Sequence, residues 1–244
     1  MNIVGSSPVI RKLSAFASLS DAERAVLGRL DAKSRSFSAG RDMVHQGQTE
    51  RAAYILATGW VCSYKLQSDG SRQIVGFQVP GDFLGLRSVL LHRSDYSFEP
   101  IVDSVALEVP KEFLLEAFSA TPRLATAFLW AAARDEAMML EHLVGLGRRD
   151  ASKRISHFLL ELAARLGLVG LGNADGYDCP LTQYHLADAL GLTSVHVNRV
   201  LRDLRQADLV SFRAGRVTFM DHAGLVELAE FDPAYLDQTR PLAA

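Results

Sequence analysis

Cysteine is nearly absent from this chain. Of its 244 residues only Cys62 and Cys179 are cysteines, and no CxxC pair occurs. Two thiols so far apart cannot alone build a four-thiolate zinc or iron–sulfur site, so buried free thiols are expected. A long apolar run is missing too. No window approaches the roughly 18 uninterrupted apolar residues that a membrane span needs. The opening residues MNIVGSSPVI lack a basic stretch followed by an apolar one. No secretory signal is therefore expected, and the cytoplasm is the expected compartment. Low-complexity tracts are also wanting, as is charge of one sign: 26 Lys and Arg face 28 Asp and Glu, for a net charge of −2. That total marks no general polyanion binder, but nucleic-acid binding needs only local positive charge. Finally, no GxSxG, HExxH or GxxxxGK[ST] occurs, so no catalytic site of those kinds is expected.

What the chain does contain changes period along its length. Residues 13–33 place Leu13, Phe16, Leu19, Val26, Leu27 and Leu30 at helical spacing. In "LSDAE", Ser20 is a candidate N-cap with Glu23 as its capping-box partner. From Phe37 to Val109 short β-branched and aromatic runs take over: "DMVHQ", "AAYILATG", "WVCSYKLQ", "RQIVGFQVP" and "SVALEVP". Gly40, Gly47, Gly59, Gly70 and Gly81 punctuate them, and "SDGS" is a hairpin signal. This spacing predicts an antiparallel double-sheet roll. A generic β-sandwich without a ligand fits the same pattern.

At "SATPRLATAFLWAAARDEAMMLEHLVGLG" the period becomes helical, with Thr121 as a candidate cap and Pro122 at the first helical position. Leu124, Ala125, Phe128, Leu129, Ala132, Met139, Leu143 and Leu146 make a broad apolar stripe. A helix of about 25 residues spans roughly 38 Å, long for one that only covers a roll. Two such helices paired about a two-fold axis would account for both length and stripe. A single core helix is the alternative, and Asp135 and Glu136 interrupt the seam. A basic stretch, "RRDASKR", leads into another amphipathic helix, and "LVGLGNADGYDCP" reads as loop and turn.

The most specific pattern is "LTQYHLADALGLTSVHVNRVLRDLRQADLV". Leu186, Ala187 and Leu190 give a first short helix its apolar face. Gly191 stands where a left-handed C-terminal residue is commonly needed, and Thr193 is a good N-cap for a second helix. There Val197, Val200, Leu201 and Leu204 form a core-facing stripe. Ser194, His196, Asn198, Arg199, Arg202 and Arg205 occupy the opposite face. "LVSFR", a tight "AG" and "RVTFMD" then predict a β-hairpin, which makes the unit a winged helix. Five arginines and two aspartates lie between Thr193 and Arg216, so the segment is locally basic. In a helix-turn-helix the second helix enters the major groove and its N-terminal residues meet base edges.

The order of roll, long helix and winged helix resembles the bacterial Crp-Fnr regulator family, over about residues 15–225. The clearest segments are the one just quoted and "HQGQTERAAYILATGWVCSYKLQSDGSRQIVGFQVPGDFLG". The resemblance implies an α+β chain, with an N-terminal antiparallel β-roll of the cyclic-nucleotide-binding jelly-roll kind. A long dimerisation helix and a C-terminal winged helix-turn-helix follow it. The implied boundaries are 1–120, 121–148 and 149–244. Also implied are a cytoplasmic homodimer bound to a palindrome in double-stranded DNA, a signal sensed by the roll, and activation through RNA polymerase. By position, Ser194, Val195 and Arg199 match residues that contact base edges, with Asn198 a further candidate. Thr193 and His196 match positions that hold phosphate, and Arg202 completes the DNA-facing set. Arg199 could bond guanine O6 and N7. Where the best-known members carry glutamate this chain has Val195, which cannot accept a bond from cytosine but could pack on a thymine methyl. The family's usual half-site is therefore not transferred.

The sensor departs further. Cyclic-nucleotide binders of the family carry a Gly-Glu pair and then an Arg-Ser pair after the "PGDF"-like strand. Here Leu86 follows Gly85, Ser94 or Asp95 stands near the expected arginine, and Arg87 and Arg93 are shifted. These departures argue against a cyclic nucleotide. The iron–sulfur branch needs an N-terminal cysteine cluster, and residues 1–61 contain no cysteine, which excludes it. A haem sensor would draw its ligand from His45, His92 or Cys62. The alternative within the class is an effector-independent regulator controlled by its abundance or by a protein partner. A regulatory subunit using only the roll is a third reading, against which the intact winged helix argues.

Overall fold

A computed structural model describes residues 7–49, 52–91 and 93–236. The chain forms two compact units. The first comprises the described residues up to Lys65 together with Gly76–Asp135; the second comprises Leu66–Val75 and the described residues from Glu136 on.

The first unit opens with helices α1 (Pro8–Phe16) and α2 (Asp21–Gly28), a 3-10 turn at Arg29–Lys33 and strand β1 (Ser34–Phe37). Ser20 caps α2 as expected: its hydroxyl accepts from the Glu23 N–H (3.3 Å), and the Glu23 carboxylate accepts from the Ser20 N–H (2.7 Å). Strands β2 (Ala52–Thr58), β3 (Val61–Leu66), β4 (Arg72–Gln78) and β5 (Phe83–Leu84) follow. Helix α3 (Leu86–Leu91), strands β6 (Ser97–Pro100) and β7 (Ser104–Pro110) and helix α4 (Lys111–Ala120) complete the sequence up to the long helix. Two sheets result, ordered β1-β7-β2-β5 and β4-β3-β6, with antiparallel ladders. This is the expected roll. "DMVHQ" is not a strand in it; Val44 makes a single bridge to Phe98.

Strand β2 is covered on both faces, which is why it reads as an unbroken apolar run. Ala53 and Ile55 point into a cluster with Leu13, Leu27 and Leu30 from the N-terminal helices. Tyr54 and Leu56 point the other way, against Val61, Leu84 and Phe98 inside the roll. Gly59 turns β2 into β3 at φ +92°; a Cβ there would lie 2.1 Å from the Ser104 hydroxyl oxygen, so only glycine fits. A buried ion pair, Lys12 Nζ to Asp82 Oδ1 at 2.7 Å, fastens α1 to the turn ahead of β5. The second Asp82 oxygen accepts from the Val79 N–H (2.9 Å), so the buried carboxylate is satisfied from both sides.

Helix α5 (Pro122–Arg148) is 27 residues long. Thr121 stands at its start: the Thr121 carbonyl accepts from the Leu124 N–H (2.9 Å), while its hydroxyl donates to the Ala117 carbonyl (2.7 Å) at the end of α4. Its apolar surface is not one stripe. Leu124, Ala127, Phe128 and Ala131 are buried in the first unit's core. Leu129, Met139, Leu140, Leu143 and Val144 are exposed, Leu129 at 69% and Leu143 at 65%.

In the second unit α6 (Ala151–Leu168) is capped by Asp150, whose carboxylate accepts from the Lys153 N–H (3.0 Å). Ile155, Leu159, Leu162 and Leu166 form its buried face. Strands β8 (Gly172–Asn173) and β9 (Gly176–Asp178) follow, where only loop was expected. Next come α7 (Gln183–Leu190), α8 (Ser194–Gln206), β10 (Val210–Arg213), β11 (Arg216–Phe219), α9 (His222–Ala229) and a 3-10 turn at Pro233–Leu236. The expected hairpin β10–β11 is widened by β9 and β8 into an antiparallel sheet ordered β10-β11-β9-β8. Tyr177 ties this sheet to α6 through a hydrogen bond from its hydroxyl to the Leu159 carbonyl (2.9 Å).

Candidate nucleic-acid interface

The site is assembled by local cap chemistry. Thr182 starts α7, its hydroxyl accepting from the His185 N–H (3.3 Å) while its own N–H donates to His185 Nδ1 (3.1 Å). That second bond needs a neutral ring. Burial, and then the nearby Arg72 charge, lower the His185 pKa from its ordinary value. Gly191 ends α7 in the left-handed region (φ 63°, ψ 41°), and the Leu192 N–H turns back to the Ala187 carbonyl (3.2 Å). Thr193 then caps α8, accepting from the His196 N–H at 3.2 Å. Both helices therefore begin, and α7 ends, where the residue types dictate, and only Leu192 lies between the C-cap and the N-cap.

Val197, Val200, Leu201 and Leu204 are buried, as the helical spacing predicts, which leaves the other side of α8 to solvent. Val195 is 77% exposed at its first turn. An apolar side chain presented so openly contributes little to the core. Between α8 and the hairpin lies an open recess of about 510 Å³. Val195, Asn198, Arg199 and Arg202 line it, four of the seven residues expected to face DNA. Gln183, Arg205, Phe212 and Arg213 line it as well. Thr193, Ser194 and His196 are not among its lining residues; they stand at the N-terminal end of α8, with the Thr193 hydroxyl engaged in the cap.

Arg205 was legible on the polar face of α8, but Gln183, Phe212 and Arg213 were not singled out. They come from other elements, and only the folded unit brings them beside α8. Four arginines and no carboxylate line the recess. The ion pair of Arg202 with Asp203 at 3.7 Å has both side chains 57% exposed and neutralises little. Arg216 is engaged with Asp178 (2.7 Å). The result is a locally positive concavity on a chain of net charge −2, with a helix N-terminus and an apolar side chain on its wall.

The roll interior is a different kind of place. Its recess is lined by Val44, Tyr54, Leu84, Phe98, Ser88 and Ser94 among others, and it has no space that would admit a water molecule. The Ser94 hydroxyl is already committed to the Tyr96 carbonyl (2.7 Å). Arg87 faces outward, paired with Asp95, donating to the Tyr96 hydroxyl (3.0 Å) and lying over that ring at 5.2 Å. His45 is on the surface with Nδ1 on Asp42 (2.9 Å), Cys62 is wholly buried in β3, and His92 lies outside the described residues. Cys179 is buried as well, and burial pushes its thiol up to about 12, so at neutral pH it is a neutral thiol and not a thiolate nucleophile.

Comparison with known proteins assigns both units. The Crp-like helix-turn-helix domain matches residues 153–228, and the cyclic nucleotide-binding domain matches residues 34–121. The chain is 32% identical to the nitrogen fixation regulation protein FixK of Bradyrhizobium diazoefficiens over 193 residues, covering 79% of this chain and 80% of that one. It is 31% identical to FixK of Azorhizobium caulinodans, covering 79% and 77%. Among solved structures, FixK2 from Bradyrhizobium japonicum superposes with a TM-score of 0.72 at 28% identity, over 86% of this chain and 98% of that one. The second domain description implies a cyclic nucleotide in the roll, and the residues present do not fit one. The recess is closed, and neither a carboxylate for a ribose nor a guanidinium for a phosphate is among its lining residues.

Proposed function

Since this chain belongs to the Crp-Fnr family of transcription regulators and is a sequence-specific DNA-binding protein of that family, we propose that it acts as a homodimer on a two-fold symmetric promoter site. In this reading residues 1–120 are the roll, 121–148 the dimerisation helix and 149–244 the DNA-binding part. The observation that carries the DNA side is the arginine-lined recess beside α8. Arg199 reads guanine, Asn198 and Ser194 meet neighbouring base edges, and Val195 packs on a thymine methyl. Thr193, His196 and Arg202 hold phosphate and set the register. Half-sites lie roughly 34–36 Å apart, one helical turn.

The dimer side rests on α5. Its exposed Leu129, Leu140 and Leu143 fall on one heptad-like seam with Ala133, and Met139 and Val144 flank it. Five large apolar side chains on one exposed helix face are what a second copy would bury. Of the two modes of control, the effector-independent one is favoured, because the roll's recess is lined by no carboxylate or guanidinium that would hold a cyclic nucleotide. We further propose that the protein works in the cytoplasm as an activator that contacts RNA polymerase. Among the described residues no helix is long and apolar enough to cross a membrane.

Selection of binding sites from a random duplex library, using the full chain with nothing added, tests this reading. A two-fold symmetric site should be enriched. Folded, dimeric protein that enriches no site would refute effector-free recognition.

A further inference from the structure

The last turn of α7, the helix that carries the recognition helix behind it, is held from outside. Arg154 of α6 uses its guanidinium as a four-way tie. Nε donates to the Gly145 carbonyl (3.0 Å), and Nη2 donates to the carbonyls of Leu146 (3.2 Å) and Arg149 (2.8 Å). Nη1 donates to the Leu190 carbonyl at 2.6 Å. The acceptors are therefore the final turn of α5, the α5–α6 connection and the final residue of α7. Each helix end offers carbonyls without intrahelical partners and a negative dipole end, which a planar cation with a fixed fork of donors satisfies together. Gly191 lies beside this tie: a Cβ there would be in ordinary contact with Leu146 Cδ2 at 3.4 Å and Arg154 Nη1 at 3.9 Å.

A second tie reaches the same turn. Residues 66–75, the tip of the β3–β4 hairpin, belong to this unit. From there Arg72 Nε donates to Asp188 Oδ2 (2.8 Å), and Gln73 Nε2 donates to the Ala189 carbonyl (3.0 Å). Asp188, Ala189 and Leu190 are thus each bound by a group from outside the helix-turn-helix.

We propose that Arg154 and Arg72 are positioning residues that fix where the recognition helix stands relative to α5, and so set the spacing of the half-sites the protein accepts. Neither touches DNA. They act through α7, which is joined to α8 by the capped turn and moves with it. The inference rests on the dimeric reading above, in which α5 is the reference axis.

The test uses the full-length protein and duplexes carrying the selected half-sites at the preferred spacing, and with one or two base pairs removed or added. The wild type should bind the preferred spacing best. In Arg154→Lys, which keeps the charge but loses the fork, and in Arg72→Ala, the ratio between preferred and off-spacing affinity should fall about tenfold, or about 1.4 kcal/mol. The order of base preference inside each half-site should stay unchanged. Partial unfolding would lower all affinities together and leave both ratios alone, so the spacing ratio separates positioning from mere stability. Folded Arg154→Lys protein with the wild-type ratio would overturn the proposal. If that variant does not fold, an unchanged ratio in Arg72→Ala overturns it. A wild type that binds one half-site as well as two refutes the dimeric reading, and the positioning role falls with it.

Discussion

Lowering the pH should loosen the second unit through one buried ring. His157 is 6% exposed on α6, with its ring 5.0 Å from Phe231 in an edge-on contact and 6.0 Å from Tyr235 in a stacked one. Burial, with the Arg149 charge behind it, pushes its pKa down to about 4 from 6.5. Glu141 lies 3.6 Å from Nε2 and pulls the other way, but its carboxylate is already committed to Arg149 at 2.6 Å. The folded unit therefore holds His157 neutral. As pH falls below 6.5 the unfolded chain takes up a proton that the folded chain refuses until about pH 4. The stability is complete above pH 6.5 and lost across the interval below it. At about 1.36 kcal/mol per pH unit, the drop from pH 7.5 to pH 5 is about 2 kcal/mol from this residue. His142 and His185 are also lowered by burial and add in the same direction. Both tryptophans, Trp60 and Trp130, lie in the first unit, so tryptophan fluorescence would miss the event. Hydrogen exchange of α6 amides at pH 7.5 and 5, corrected for intrinsic rates, reads it directly. His157→Phe keeps the aromatic packing without the titration and should remove about 2 kcal/mol of the pH dependence. An unchanged pH dependence in that variant would refute the assignment.

The interfaces give the remaining predictions. Val195→Glu restores an acceptor at the first turn of α8, so selected sites should exchange a thymine preference for cytosine at one position per half-site. In the same assay Arg199→Ala should lose about 1–3 kcal/mol of discrimination at one base pair. Arg202→Ala should instead weaken all sequences alike and reduce the salt slope by about one unit. On α5, Leu140→Glu together with Leu143→Glu should lower the mass in sedimentation from twice 26.7 kDa to 26.7 kDa. A double variant that stays dimeric would move the interface elsewhere.

The parts of this fold that could be read in advance are those that local chemistry decides. Ser20, Gly191 and Thr193 cap or stop helices through bonds to residues three or four positions away, so their roles are written within a few letters of sequence. The buried stripe of α8 follows from the same logic. Strands β8 and β9 escaped because they are two and three residues long and rich in Gly and Asn, too short to show a period. The pairing of β9 with β11 is a tertiary gain, and Gly176 makes it feasible: a Cβ there would lie 2.0 Å from the Val217 carbonyl oxygen.

The long helix shows the deeper limit. Hydrophobic spacing reports that a face will be buried, not against what. Along α5 a single pattern supplies one buried face and one open face. Leu124 and Phe128 belong to the first unit's core, whereas Leu129, Leu140 and Leu143 stay open. The arginine-lined recess has the same character. The residues on α8 were legible because one helix presents them, but Gln183, Phe212 and Arg213 join only when α7 and β10 close around it. Arg154 was less visible still, since it faces no ligand and its partners are backbone carbonyls, which carry no residue identity. A residue that works by holding other elements in place leaves its evidence at its acceptors, and those can be found only in three dimensions.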